Sequence, residues 1–202
     1  MSAPVPSKRL NPRRREILDA TLRVIGQSGV NGVTHRAVAQ EAGVALASTT
    51  YYFDSKDALV EEALEQMIAR SIEDVRRFTA CSGRITKEEL IDRIVGFADA
   101  QINDPLAFLT AQYELMLEAG RREHLHPLAR RWTIAYMDGF NHMVECAGLP
   151  EPVATAEMIT NFVEGALLNH VTTPGDDFLE ERFRPLLTGF VTALESGLQT
   201  TR

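Results

Sequence analysis

Apolar positions recur with helical spacing along almost the whole chain. Between Pro12 and Gly29 they lie three or four residues apart, as on one face of a helix. Asn11 supplies an N-cap, Pro12 suits a first turn, and Gly29 ends the run. Further stripes of this kind occupy residues 55–79, 90–102, 106–117, 128–143, 158–167 and 183–194. Because no alternating strand-like run is bounded by turns, the pattern predicts an all-α protein.

Two short helices are predicted between Thr34 and Phe53. Thr34 has the hydroxyl of an N-cap for a helix that begins at His35. The Ala42–Val44 turn contains a glycine, which permits the positive φ of a sharp exit. A second helix from Ala45 is rich in small and hydroxyl side chains and ends in three aromatic residues. This arrangement predicts a helix-turn-helix, which places one helix end in a DNA groove.

The side chains of this segment suit a groove. Arg36 can hold the O6 and N7 atoms of guanine bidentately. Leu46 and Ala47 can touch a thymine methyl group. Phosphate contacts are expected from the hydroxyl side chains of Ser48, Thr50, Tyr51 and Tyr52. Phe53 is expected to pack inside the small domain, whereas the two tyrosines fit internal packing and phosphate contact equally well.

Charge is distributed unevenly along the 202 residues, whose formal net charge is −7. Residues 1–60 carry eight Lys+Arg and five Asp+Glu, whereas residues 61–202 carry 13 and 23. Phosphates respond to the field within a Debye length of about 8 Å, so the basic part can bind DNA despite the acidic remainder. Arg13–Arg15 add to the positive charge of this basic part. Lys8 and Arg9 fit a DNA-contacting arm and a solvated leader equally well.

The order of these pieces resembles the N-terminal domain of the tetracycline-repressor (TetR) family over Arg13 to Leu64. The matching pieces are the long first helix, the Gly-rich loop, THRAVA from Thr34, AGV from Ala42 and FDSKDAL from Phe53. A lone helix-turn-helix pattern is weak, but matches in this fixed order are specific. The family's DNA-contacting positions correspond here to Thr34, His35, Arg36, Leu46, Ala47, Ser48, Thr50, Tyr51, Tyr52 and Lys56.

The sequence departs from the family pattern at the second short helix. Ala45 stands where many relatives have a capping serine, and Thr50 where many have a tyrosine. A capping hydroxyl and a long donor to phosphate are therefore missing there. Tyr51 or Tyr52 could supply the phosphate contact instead.

The resemblance also implies a domain organisation. It predicts a flexible basic arm over residues 1–11, a DNA-binding domain over 12–56, and a ligand-binding and dimerisation domain over 57–202. A helix over about 55–79 would link the two domains.

The last two predicted helices carry apolar stripes. Their members are Met158, Ile159, Phe162, Val163, Ala166 and Leu167, and then Phe183, Leu186, Leu187, Phe190, Val191 and Leu194. In a TetR-like protein these helices would join those of a second copy as a four-helix bundle. Gly165 and Gly189 favour close packing of another helix there. The alternative is that both stripes serve only the core of one chain.

The resemblance implies that a small-molecule effector binds between the middle helices. Its binding would move the DNA-binding domains of the two copies so that they no longer fit successive grooves, which lie about 34–36 Å apart. Candidate lining residues are Phe97, Tyr113, Met116, Leu117, Trp132, Tyr136, Phe140, Phe162 and Leu168, with polar Gln101, Glu114, Asn161 and His170. Each also fits an ordinary core position. An aromatic and Met-rich set with few charges favours a hydrophobic or aromatic effector. Glu114, if buried, would pair with a cationic ligand or with Arg121 or Arg122.

Other classes of function are less well supported. Cys81 and Cys146 have no CxxC or Cys/His ligand spacing, so reduced, packed thiols are expected. His124 and His126 would face apart on a helix, and neither a metal nor a cofactor is predicted. Catalytic motifs such as G-x-S-x-G and H-E-x-x-H are missing from the sequence, which argues against an enzyme.

The leader MSAPVPSKRLNPRRR lacks the apolar core of a signal peptide, and no stretch approaches the roughly 18 apolar residues of a membrane span. A cytoplasmic location without membrane contact is therefore expected. The sequence predicts a homodimeric DNA-binding repressor, released from a palindromic operator by a small effector. A ligand carrier or a small helical enzyme without coupling to DNA is the alternative.

Overall fold

The regular structure is entirely helical in the part of the chain that the computed structural model describes, residues 11–104 and 108–197. The helices are α1 Pro12–Ser28, α2 His35–Glu41, α3 Leu46–Tyr52, α4 Lys56–Thr79, α5 Lys87–Ile102, α6 Phe108–Arg121, α7 His126–Ala147, α8 Pro152–Thr172 and α9 Arg184–Gly197. The all-α prediction is confirmed. Within these ranges no helix has both the length and the apolar character needed to span a bilayer.

Local capping sets the helix starts that the sequence predicts. Asn11, Thr34 and Ser55 each accept a backbone N–H of the helix that follows, at 2.9, 3.0 and 3.1 Å. Gly29 ends α1 at a φ of 67°, which favours glycine. Ala45 precedes α3 and offers no side-chain cap. Helix α3 therefore begins without a side-chain N-cap.

The helices divide into two compact units. The first holds the described residues up to Met67 together with Phe108–Leu125, and the second holds Ile68–Asp104 and the described residues from His126 onward. In the first unit α1 packs against α2 and α6, and α2 packs against α3. These units cut across the predicted ranges 12–56 and 57–202, because α4 is divided between them and α6 covers α1.

Polar contacts close the end of α6 in the first unit. Arg122, the residue after α6, donates to Glu118 of that helix at 2.7 Å and to Asp57 at the start of α4 at 2.9 Å. The hydrogen bond to Asp57 raises the pKa of Arg122. His124, in a 3-10 turn, lies 2.8 Å from a carboxylate oxygen of Glu61. Two ion pairs of Arg122 and one hydrogen bond of His124 therefore hold the end of α6 and the turn after it.

The second unit is built on α7 and α8, with α5 against α7, α8 and α9. Lys87 and Asp92 of α5 reach Glu195 and Arg184 of α9, at 3.0 and 2.6 Å. A π-helical turn over Phe178–Phe183 leads into α9. The hydrogen bond to Asp92 raises the pKa of Arg184. Apolar burial and these ion pairs therefore fix α9 against α5.

The cysteine prediction is wrong, because Cys81 and Cys146 form a disulfide. Cys81 follows the end of α4 by two residues, and Cys146 lies in the last turn of α7. Their Cα atoms are 6.7 Å apart although 65 residues separate them in sequence. Only the packing of the second unit brings the two thiols together, which spacing along the chain does not indicate.

Candidate DNA-binding surface and effector region

Buried side chains hold the helix-turn-helix together. Val38 and Phe53 are buried at its centre, and Val44 is half-buried in the turn. Gly43 takes a φ of 65°, and the N–H of Val44 donates to the carbonyl of Ala39 at 2.9 Å. The predicted turn is therefore present, and Phe53 packs inside the unit as expected.

Thr49 joins the two short helices and was missed by sequence reasoning. It is fully buried, and its hydroxyl donates to the carbonyl of Leu46 at 2.8 Å. The same oxygen lies 3.3 Å from Nδ1 of His35 at the start of α2. His35, a predicted DNA contact, is thus half-buried against α3. Only the fold shows this contact, since the two residues lie 14 positions apart.

Most of the other predicted DNA contacts face outward. Tyr51 is 73% exposed and Leu46 is 50% exposed. The remaining exposed members of the predicted set are Thr34, Arg36, Ala47 and Thr50. No ion pair to Arg36 is found in the described ranges. These residues form a continuous outward face of α3 beside the start of α2, called here the α3 face.

Three predicted contacts are partly occupied by the protein itself. The hydroxyl of Tyr52 accepts a hydrogen bond from the side-chain amide of Asn11 at 2.9 Å. Lys56 donates to the carbonyl of Asn31 at 3.3 Å. Ser48 is half-buried. Tyr52 thus braces the start of α1, while Tyr51, which meets it edge to face at 5.0 Å, projects outward.

The arginines at the start of α1 have different surroundings. Arg14 forms an ion pair with Glu62, and its guanidinium lies over the ring of Phe53 at 5.1 Å. Arg13 pairs with Glu16 at 2.8 Å and stays exposed, as does Arg15. Arg14 is therefore an internal support of the unit. The predicted arm contacts Lys8 and Arg9 lie outside the described residues.

Four of the predicted effector residues meet in an aromatic cluster between α5 and α7. The ring of Phe97 lies 5.7 Å from that of Tyr136 and 5.8 Å from that of Phe140. Trp132 lies against Tyr136, with ring centroids 4.3 Å apart. Phe78, which sequence reasoning missed, meets Phe97 edge on at 5.9 Å.

Two polar side chains beside this cluster lack hydrogen-bond partners in the described structure. Gln101, one turn beyond Phe97 on α5, is 2% exposed, and both its side-chain nitrogen and oxygen are unpaired. The indole N–H of Trp132 is also buried and unpaired. Leaving such groups unsatisfied costs about 1–3 kcal/mol each, so they are candidates for ligand contact.

The other predicted effector residues lie elsewhere. Tyr113, Glu114, Met116 and Leu117 are on α6 in the first unit, and Leu117 is 61% exposed. A carboxylate oxygen of Glu114 lies 3.3 Å from where a Cβ would stand on Gly29. The arginines suggested as partners for Glu114 pair instead with Glu118.

On α8, Phe162 stacks on Phe190 at 4.9 Å, and Leu168 is 46% exposed. Asn161 and Phe162 line a cavity of about 310 Å³ on the surface of α8 and α9. His170 rests on Phe178 at 4.6 Å and lines a separate cleft of about 530 Å³. The structure therefore gathers only the α5 and α7 members of the predicted set.

Profiles of known families match both parts of the chain. Residues 17–63 match the family described as bacterial regulatory proteins, tetR family. Residues 85–193 match the tetracyclin repressor-like C-terminal domain, which alone spans more than half of the chain.

Individual relatives agree with this assignment. The chain is 25% identical over 170 residues to the nicotine-responsive transcriptional repressor HdnoR of Paenarthrobacter nicotinovorans, covering 81% of this chain and 86% of that protein. It is 35% identical over 124 residues to the transcriptional regulator BetI of Brucella anthropi, covering 59% and 62%.

Solved structures show the same fold. The multidrug binding protein EbrR complexed with ethidium aligns with a TM-score of 0.62 at 27% identity, covering 92% of this chain and 99% of that one. A transcriptional regulator from Rhodococcus sp. Rha1 aligns with a TM-score of 0.75 at 18% identity, covering 93% and 97%. The helix-turn-helix, the helical C-terminal region and both profile matches together establish that this chain belongs to the TetR family of ligand-responsive, DNA-binding transcriptional regulators and is not an enzyme.

Proposed function

We propose that the protein is a homodimeric repressor that leaves a palindromic operator when a hydrophobic or aromatic effector binds. The observation that carries this proposal is the α3 face, where Arg36, Leu46 and Tyr51 project from a buried frame. Side chains that the protein does not use for its own packing are available to base edges and phosphates. A cytoplasmic location, where the chromosome lies in bacteria, accompanies this proposal.

Arg36 would read one guanine in each half-site, because its guanidinium can form a bidentate pair with O6 and N7. An operator can be selected from random duplex DNA and its affinity measured by fluorescence anisotropy at fixed salt. Arg36→Ala should lose about 1–3 kcal/mol per contact and relax the preference at one base pair per half-site.

Arg121→Ala is the matched control, since it removes the same charge from an exposed position of the same unit. It should leave the sequence preference unchanged. Tyr51→Phe should instead weaken binding to all sequences alike, because it removes a phosphate donor. A selected site without two-fold symmetry, or an Arg36→Ala variant with the original preference, contradicts the proposed DNA contact.

The outer surfaces of α8 and α9 would form the dimer interface. Their apolar stripes are split: Ile159 and Leu187 are buried in the chain's own core, whereas Met158 and Leu186 are 41% and 55% exposed. Gly165 and Gly189 have no atom within 4 Å of an added Cβ in the described structure, so another helix has room to approach. The cavity of about 310 Å³ on this surface would receive side chains of the second copy.

Leu186→Asp should convert the dimer into monomers and abolish tight operator binding, because a buried unpaired carboxylate is costly at an interface. Leu117→Asp places the same charge at a leucine of similar exposure, 61%, on α6, and should remain dimeric. Light scattering coupled to size-exclusion chromatography measures the mass. A monomeric wild type, or a dimer that tolerates Leu186→Asp, opposes this interface.

The aromatic cluster of α5 and α7 would bind the effector. Its rings form a buried aromatic environment, and the unpaired groups of Gln101 and Trp132 offer hydrogen bonds. EbrR is described in complex with ethidium and with proflavin, and HdnoR is described as nicotine-responsive. Ring-containing compounds of this kind are therefore the first probes.

Trp132 is the sole tryptophan of the chain, so its fluorescence reports on this region alone. Nicotine and ethidium can be titrated against it, and the affinity of a binding compound then measured with and without operator. Effector and operator should weaken each other by the same factor. Equal effector affinity in both states supports the alternative of a carrier without DNA coupling.

Gln101→Leu should lower the affinity for the effector and leave the affinity for the operator unchanged, because it removes one polar contact to the effector and one buried unpaired amide. Thr160→Val is its control, since it removes another unpaired buried group, on α8. An effector that binds Gln101→Leu as tightly as wild type excludes the proposed contact.

A further inference from the structure

Cys81, His142 and Cys146 form a cluster that neither the helix-turn-helix nor the aromatic cluster uses. One potential ligand atom from each residue lies within 4.8 Å of the other two. His142 and Cys146 stand four residues apart on α7 and so share one helix face. We propose that, once the disulfide is reduced, these three side chains bind one zinc ion.

The distances in the cluster suit a tetrahedral ion. Nε2 of His142 lies 3.8 Å from the sulfur of Cys146. Zinc bonds of about 2.3 Å to sulfur and about 2.0 Å to nitrogen place two such ligands about 3.5 Å apart in a tetrahedral site. The Cα atoms of Cys81 and Cys146 are 6.7 Å apart, near the upper end of the usual disulfide range, which leaves room for two thiolates around an ion.

The backbone around Cys81 is held in place from several sides. Arg93 donates to the carbonyl of Ala80 at 2.7 Å, and the N–H of Ile85 donates to the carbonyl of Cys146 at 3.0 Å. Nε2 of His142 lies 3.1 Å from the carbonyl oxygen of Cys81, a contact that this atom gives up when it binds the ion. The loop and the last turns of α7 are therefore fixed to each other without relying on the disulfide. A site with this much preorganisation loses little entropy on binding an ion.

The chemistry of the ligand set favours zinc. Two thiolates and one imidazole are borderline-soft ligands that zinc accepts in a Cys2His arrangement with water in the fourth position. His142 is exposed and Cys81 is half-buried, so an ion and its water can enter from solvent. The bound ion would connect the loop after α4 to the end of α7.

Reduction and metal binding are separate steps. A dithiol reductant transfers two electrons and two protons to the Cys81–Cys146 bond and becomes a cyclic disulfide, leaving two thiols on the protein. Zinc then displaces two thiol protons into the solvent. The disulfide form has no thiolate and should not bind zinc at this place.

The test uses the full chain, reduced and freed of dithiol, with zinc titrated against a chromophoric chelator. The reduced protein should bind one zinc per chain, and the oxidised protein should not. Cys146→Ser and His142→Gln should each lower the affinity for zinc at least tenfold. The control variant carries His124→Gln with His126→Gln, which removes the other closely spaced histidines, and should bind as wild type does.

Cobalt(II) is the second probe, because thiolate ligation produces charge-transfer absorption that an ion on surface carboxylates lacks. Circular dichroism verifies that each variant keeps its helices. The proposal is overturned if reduced wild type binds no stoichiometric zinc, if Cys146→Ser or His142→Gln binds zinc as tightly as wild type, or if the cobalt complex lacks thiolate absorption. These outcomes leave the proposed operator and dimer contacts untouched, since none of the three residues belongs to them.

Discussion

Replacing Gly139 by alanine should destabilise the second unit, although alanine is the better helix former. Gly139 lies in α7 where the helix passes close to α4. A Cβ there would stand 2.5 Å from Cγ1 of Val75 and 2.9 Å from Oγ1 of Thr79. Both separations are far shorter than ordinary van der Waals contacts, so one helix must move.

The size of the effect follows from how rigid the neighbours are. Val75 is 1% exposed and β-branched, and the hydroxyl of Thr79 is fixed to the Val75 carbonyl at 2.7 Å. Overpacking a rigid core costs about 1–3 kcal/mol, and replacing glycine within a helix returns up to about 1 kcal/mol. A net loss of about 1 kcal/mol in the free energy of unfolding is expected for Gly139→Ala.

Urea unfolding followed by circular dichroism measures this loss, and a double-mutant cycle assigns it. In a Val75→Ala background the cost of Gly139→Ala should fall, because Cγ1 is absent, with a coupling of about 0.5–3 kcal/mol. Gly120→Ala on α6, where an added Cβ meets no atom of the described residues within 4 Å, should be neutral or stabilising. The reasoning is refuted if Gly139→Ala behaves like Gly120→Ala, or if Val75→Ala leaves its cost unchanged.

Three further predictions concern the cap of α2, the half-buried carboxylate of Asp74 and the disulfide. Thr34→Ala should lower the free energy of unfolding by about 1 kcal/mol because α2 loses its N-cap, while Thr34→Ser should retain most of it, as urea titration can measure. Burial raises the pKa of Asp74 above its usual value of 3.8, although Arg77 opposes this, so the ionised carboxylate disfavours the folded state. Asp74→Asn should therefore increase stability at pH 7, and a pH series should show this advantage vanishing as the pH falls through the folded-state pKa and below 3.8, where the acid is neutral in both states. Under oxidising conditions Cys146→Ser should lower the free energy of unfolding by up to about 4 kcal/mol, because the disulfide no longer closes a loop of 65 residues in the unfolded chain. With reductant present and zinc removed, the variant should be as stable as the reduced wild type. Equal stability of the variant and the wild type under oxidising conditions would contradict this.

The features that the sequence predicts well are local. Each cap at Asn11, Thr34 and Ser55 depends on a side chain and an N–H a few residues away, and the positive φ of Gly43 depends on one residue. Apolar periodicity likewise places the helices, because it records which face of each one is buried. The helix-turn-helix could be identified for the same reason.

The features that were missed depend on pairing between distant segments. Periodicity shows that α6 has an apolar face but does not show that this face packs on α1. It also does not reveal that Leu117, a proposed effector contact, is 61% exposed. The sequence analysis counts Arg14 among the basic residues available to DNA, but in the structure Arg14 forms an ion pair with Glu62, 48 positions away. The sequence proposes Gln101 as a polar effector contact, which stays a prediction, and only the three-dimensional structure shows that both its polar side-chain atoms are buried and unpaired among the described residues.

The packing of α6 on α1 means that the head that binds DNA is not a detachable N-terminal piece. A fragment ending after α4 would retain α2 and α3. It would lose α6, which packs against α1, and Arg122, which pairs with Asp57. Such a fragment would expose apolar surface to water, so operator binding by truncated chains would understate what the intact protein achieves. Because α6 packs on α1 and α1 packs on α2, a displacement of α6 should act on the helix-turn-helix through α1.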